Sequence, residues 1–201
     1  MVQKNPSAAG RPQEHRVTTA LMEATLIELA ENGFEGSTVA AIANRARTSK
    51  QAVYRRFGNK TDMIAAAVEH GLLSIRSTSP QRISVAEDLR QSLAGIVSSF
   101  QETPLGGAIR ALVPHRDLQP ITEALENAEN DRRLVLRQIF IATPFETDME
   151  TRIDLLLGLI YFRLLIRNVP IGQNDIERAI YLVLGLVAPR DPAPHAGMPG
   201  I

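Results

Sequence analysis

Between Ser49 and Lys60 the chain reads SKQAVYRRFGNK, four basic residues and two aromatics in one short stretch. On a helix, at about 100° per residue, Lys50, Gln51, Tyr54 and Arg55 share one arc, with Ala52 and Val53 opposite, Arg56 beside them and Phe57 at the margin. The side chains of that arc donate hydrogen bonds. Lys and Arg can reach guanine O6/N7 or phosphate oxygens, Gln can pair with adenine N6/N7, and Tyr can offer its hydroxyl to phosphate. Ala52 is small enough to permit close approach. The same residues also describe a solvated charged face, so the choice between the two readings rests on the elements around this helix.

Those elements are short helices. Ser49 can cap the basic helix through its hydroxyl, and Gly58 stands where it would end. Before it, a helix starting at Ser37 or Thr38 carries Val39, Ile42, Ala43 and Ala46 inward, and breaks around Arg47 and Thr48. A first helix from about Arg16 to Asn32 sets Val17, Leu21, Ala24, Ile27, Ala30 and Phe34 at helical spacing and stops at Gly33. Two short helices joined by a tight turn and buttressed by a third outline a helix-turn-helix unit, which holds a basic helix outward to read DNA.

Residues 16 to about 64 resemble the N-terminal domain of the TetR family of bacterial one-component transcription regulators. The resemblance is carried by Gly33 and Phe34, Thr38, Ile42 and Ala43, Ala46, Ser49, the run Val53-Tyr54-x-x-Phe57, and Lys60 followed by Asp62. It implies that Thr38, Tyr54 and Lys60 grip phosphates and that Lys50, Gln51, Ala52 and Arg55 face base edges. Val53 and Phe57 read as core that aims the helix. Two positions depart from the family's pattern, which often has Gly where this chain has Arg47 and Gln51. A left-handed Arg47 would cost about 1–2 kcal/mol, a cost that a phosphate contact can offset. Arg11, in the leading arm, can enter a minor groove as basic arms do, or do nothing.

Beyond Asn59 the pattern remains helical. Ser84 with Glu87, Thr147 with Glu150, and Asn174 with Glu177 have capping-box spacing and mark three helix starts. Helices are expected over Ala86–Gln101, Ile121–Ile141, Asp148–Asn168 and Asp175–Val187. The third is apolar nearly all round in its second half, and the last has the same character, so a partner is expected to cover one face of each. Ile153, Leu157, Gly158, Tyr161, Leu164, Ile180 and Leu184 are the residues expected at the resulting homodimer interface, the assembly that the resemblance also implies. A monomer with both helices central is the alternative. In this family the middle helices enclose an effector pocket, for which Phe100, Ile109, Arg110, His115 and Phe140 are candidates. The sequence assigns neither the pocket nor its ligand.

The expected fold is all-α, with a flexible arm (1–14), a three-helix DNA-binding domain (15–60), a helical bundle for ligand binding and dimerisation (61–188) and a flexible tail (189–201). Charge follows the same division. The formal net charge is zero, yet residues 1–60 hold nine Lys/Arg against five Asp/Glu, which leaves the remainder at −4. Cysteine is absent, which excludes disulfides, thiol nucleophiles and thiolate zinc sites. The longest apolar run, Leu155–Phe162, ends at Arg163, short of a membrane span, and no signal-peptide core precedes the first helix, so a cytoplasmic protein is expected. No two-histidine metal motif, nucleophile elbow or phosphate-binding glycine loop occurs. No cofactor, metal or catalysis is expected. The expected function is a DNA-binding transcriptional regulator, which the resemblance implies is a repressor of operator DNA released by a small-molecule effector; the alternative is a helical carrier or enzyme with a non-functional helix-turn-helix.

Overall fold

The computed structural model describes residues 10–75 and 80–187, and among these every regular element is helical. Residues 1–9 and 188–201, which hold most of the expected arm and the whole of the expected tail, lie outside the described residues. Helix α1 (Gly10–Gly36) begins well ahead of Arg16, so residues 10–14 are helical rather than loose and Arg11 falls in the first turn. At Gly33 (φ 70°, ψ −179°) the helix kinks in a conformation that residues with a Cβ avoid. The kink turns the chain into α2 (Val39–Arg45), followed by α3 (Lys50–Phe57) and α4 (Lys60–Leu73).

The larger region comprises α5 (Val85–Glu102), α6 (Pro104–Leu112), a 3₁₀ turn (Val113–His115), α7 (Gln119–Phe140), α8 (Met149–Tyr161) running into a π turn (Phe162–Ile166), and α9 (Gln173–Leu184). One continuous core joins both regions, from Leu21, Ile42 and Val53 through Met63 and Leu89 to Phe140 and Ile180. Helix α6 has no counterpart among the helices expected from sequence. Gly106 and Gly107 weaken its helical signature, and packing explains them. A Cβ at 106 would stand 2.1 Å from the Phe100 carbonyl oxygen, and one at 107 would stand 2.8 Å from the Ala30 Cβ. The two glycines thus let α6 lie close on both α5 and α1.

Of the three expected capping boxes, only the first has its hydroxyl in place: Ser84 accepts from the Glu87 N–H at 3.1 Å. Thr147 is not the cap of α8, which starts from Asp148 in a left-handed conformation (φ 61°). In α9, Gly172 takes the N-cap position and Asp175 Oδ2 accepts its N–H at 3.0 Å, in place of Asn174 and Glu177. The displaced carboxylates bind arginines from neighbouring helices. Glu150 joins Arg133 and Arg137 of α7, and Glu177 meets Arg90 of α5 at 2.7 Å. These pairs hold Glu150 and Glu177 below the usual carboxylate range, chiefly through the hydrogen bonds from Arg137 and Arg90.

The residues expected at a dimer face need correction. Ile153, Leu157, Leu164, Ile180 and Leu184 are buried within this chain's own core, and the Tyr161 hydroxyl turns inward to Glu129. Only Gly158 is exposed, with open space where a Cβ would stand. The apolar side chains that reach solvent are instead Leu155, Phe162 (54% exposed) and Ile166 (63%), with Leu182 (78%) on α9. A helix that is apolar all round carries no stripe to say which side faces its own core.

Candidate nucleic-acid interface

The helix-turn-helix is held by local capping and two cross-helix ion pairs of one arginine. The Thr38 hydroxyl accepts from the Ala41 N–H at 3.1 Å and so starts α2. Arg45, near the end of α2, reaches back to α1, where Glu28 lies at 3.1 Å and Glu31 also binds it. Glu28 is buried and additionally accepts from Asn32 at 2.9 Å, so a fully hydrogen-bonded carboxylate fixes the angle between α1 and α2. Arg45, one of the residues behind the basic excess, is therefore neutralised in place.

The turn closes as a Schellman motif. Thr48 N–H donates to the Ala43 carbonyl at 2.9 Å and Arg47 N–H to that of Asn44 at 3.0 Å, with Arg47 left-handed at φ 52°. Arg47 thus occupies the position that favours glycine, and its side chain is exposed. Arg47→Gly is expected to stabilise the fold by about 1 kcal/mol, the left-handed penalty less the entropy of a flexible glycine. For a chain of this size that is about 2–4 °C in thermal midpoint, read by circular dichroism. Any weakening of DNA binding in the same variant would report the lost guanidinium.

Ser49 caps α3 by accepting from the Ala52 N–H at 3.2 Å, and Gly58 (φ 73°) ends it. Val53 is buried, Ala52, Arg56 and Phe57 are half-buried, and Lys50, Gln51, Tyr54 and Arg55 are exposed. Tyr54, an aromatic side chain 51% exposed, contributes little to the core. Thr38, Arg47 and Ser49, on the elements leading into α3, are exposed as well. Lys60 differs from this group. Its ammonium donates to the Phe34 carbonyl at 2.7 Å and lies 4.4 Å from the centre of the Phe34 ring, so its charge is spent on joining α4 to α1. At the start of α4 the free backbone N–H groups remain the feature suited to an anion, and Asn59 caps this end by accepting from Asp62 N–H at 2.9 Å.

Deeper in the larger region, a cavity of about 510 Å³ opens among α4 to α8. Of the pocket candidates, Phe100 and Ile109 line it. Arg110 instead donates to the Leu164 carbonyl, His115 stacks on Phe34 with ring centres 4.3 Å apart, and Phe140 is fully buried. Arg132, Glu129 and Tyr161 line the cavity too, and the sequence reading had assigned none of them to it. Among the described residues no cluster of acids and histidines could hold a metal, and no helix is long and apolar enough to cross a membrane.

Residues 21–67 match the family model of bacterial regulatory proteins, tetR family. The match covers the end of α1, the helix-turn-helix and half of α4. The HTH-type transcriptional regulator YdeS of Bacillus subtilis is 29% identical over 188 residues, covering 85% of this chain and 89% of that protein. An HTH-type transcriptional regulator of Mycobacterium tuberculosis is 27% identical over 170 residues, covering 81% and 83%. A transcriptional regulator from Rhodococcus sp. Rha1 shares the fold, with a TM-score of 0.67 at 23% identity over 84% of this chain and 94% of that one. With a capped helix-turn-helix, the family match across it and relatives alike along most of their length, the chain carries the DNA-binding domain of the TetR family of bacterial regulatory proteins and is a DNA-binding transcriptional regulator.

Proposed function

We propose that the protein is a homodimeric repressor that grips operator DNA through α3 and is released when a small molecule occupies the cavity among α4 to α8. The observation that carries the DNA-reading part is the exposed arc of Lys50, Gln51, Tyr54 and Arg55 on a helix whose opposite side is core. Arg55 and Lys50 reach guanine or phosphate, Gln51 reads adenine, and Tyr54, Thr38 and Arg47 hold the backbone. In this division residues 15–60 form the DNA-binding domain and residues 61–188 the effector and dimer domain.

Release follows from geometry. Two α3 helices must enter successive major grooves about 34–36 Å apart. A ligand that binds better to a dimer with another separation lowers operator affinity by that difference in affinity. Helix α4 connects the two regions, since its first residue is bound to Phe34 and its Leu72 lines the cavity.

Band shifts on duplex DNA from upstream of the protein's own gene, repeated over a salt series, test the DNA part. A specific complex is expected whose affinity falls steeply with salt, as phosphate contacts dictate. If no duplex bound above the non-specific level, and Tyr54→Ala changed nothing, the regulator would not act through this face.

A further inference from the structure

Arg132 is the charged residue whose surroundings are least balanced. It sits on α7, is 9% exposed, and its Nε is enclosed with no hydrogen-bond partner among the described residues. The guanidinium lies 5.9 Å from the centre of the Phe100 ring and 6.0 Å from that of Tyr161, both cavity-lining side chains. Ring faces offer a cation partial compensation, whereas a buried charge ordinarily needs a counter-ion and acceptors for its donors.

The acids nearby are otherwise engaged or exposed, and Asp131, next to Arg132 in the chain, is among the exposed. Glu129, one turn away on α7, accepts from the Tyr161 hydroxyl at 2.5 Å and from Arg133 Nε at 3.2 Å. Desolvation pushes the Tyr161 hydroxyl well above its usual range, so it remains a proton donor to Glu129. Glu126 and Arg116 also line the cavity, but both are exposed, where solvent screens their charges. The remaining wall is mostly apolar, with Leu72, Phe100, Ile109, Val113, Leu125 and Leu165 beside the uncharged polar Thr122 and Asn130. The chamber is thus largely apolar with a buried guanidinium in its wall and a volume of the size that small-molecule sites have.

We propose that this cavity takes an organic monocarboxylate with an apolar or aromatic body, its head paired with the Arg132 guanidinium and its body against Phe100, Ile109 and Leu165. A planar guanidinium matches a carboxylate through two parallel hydrogen bonds. A dianionic phosphate head fits less well, since its second charge would meet Glu129 without a further buried cation. The assignment deepens the effector reading and rests on it only for the consequence at DNA.

Isothermal titration of the full-length, DNA-free protein with octanoate, dodecanoate, phenylacetate and naphthoate, each beside its neutral amide, tests the site. At least one carboxylate is expected to bind more tightly than its amide. Arg132→Met is expected to weaken that carboxylate by about 10- to 100-fold, the range for a hydrogen-bonded charge pair, and to leave the amide unchanged. Since replacing an unpaired buried cation with an apolar side chain favours folding, R132M is expected to melt no lower than the parent. The assignment is overturned if none of the carboxylates binds, if the amides bind as well as the acids, or if R132M binds the carboxylate undiminished. Should R132M fail to fold, the comparison of acids with amides on the parent protein still decides. Band shifts with the carboxylate that binds then separate the two ideas: binding without release of DNA supports the anion site and removes the effector mechanism.

Discussion

The double substitution Phe162→Glu with Leu182→Glu is expected to leave a folded monomer whose operator affinity is lower by on the order of a hundred- to ten-thousandfold, the range lost when two linked binding modules act singly. Both side chains are largely exposed, so little of the core is disturbed. Leu155, Gly158, Phe162 and Ile166 recur at helical spacing along α8 and the π turn, and Leu182 is exposed on α9. Burying a Leu or Phe contributes about 1.5–3 kcal/mol, and in a two-fold dimer each side chain counts twice. Four carboxylates across the two-fold would repel each other and lose hydration. Sedimentation velocity over a concentration series reads the mass, and band shifts read the affinity. A parent protein that ran as a monomer at every concentration would remove both the dimer and the two-groove reading that depends on it.

A second large effect is expected on α3. Gln51 and Arg55 are exposed side by side, and each bidentate base contact contributes about 1–3 kcal/mol of discrimination. Gln51→Ala with Arg55→Ala is therefore expected to remove most of the preference for operator over random duplex. The salt-dependent, non-specific binding is expected to persist, because the phosphate contacts proposed for Thr38, Arg47, Lys50 and Tyr54 are untouched. Competition band shifts with operator and scrambled DNA measure the two components. Equal loss on both duplexes would mean that this pair holds backbone and reads no bases. The helix should stay in place, since Ser49, Val53 and Gly58, which cap and anchor it, are untouched.

Helix α3 was legible in the sequence because it is short and two-sided. Val53 and Phe57 could only face inward, and Lys50, Gln51, Tyr54 and Arg55 only outward, and the burial of each follows that division. The long helix after Asp148 offers no such contrast, so its apolar residues identified a covered helix but not which neighbour covers which side. Ile153 and Leu157 face this chain's own core, while Leu155 and Phe162 face away. The family resemblance assigns Lys60 to phosphate; the Phe34 carbonyl and ring, distant in sequence, draw it in instead. Arg132 stands in the run NDRRLVLR, which reads as solvated helix surface. Its burial depends on Phe100 and Tyr161 arriving from two other helices, which no local pattern announces. Helix α6 was hidden by the two glycines that close packing demands.

Phe34 receives Lys60 from one side and the His115 ring from the other. The two side chains come from the first turn of α4 and from the turn that follows α6, and both helices border the cavity. Helix α4 is thus a lever about 21 Å long at 1.5 Å per residue, with its load at Phe34 and its handle at Leu72. A tilt of roughly 5° about the handle carries the loaded end about 2 Å, and in the proposed dimer the two-fold axis doubles this to about 4 Å between the two reading helices, against a groove repeat of about 34–36 Å. A rigid helix seated on one aromatic ring can in this way convert a displacement of a few atoms inside the bundle into a mismatch with the pitch of DNA.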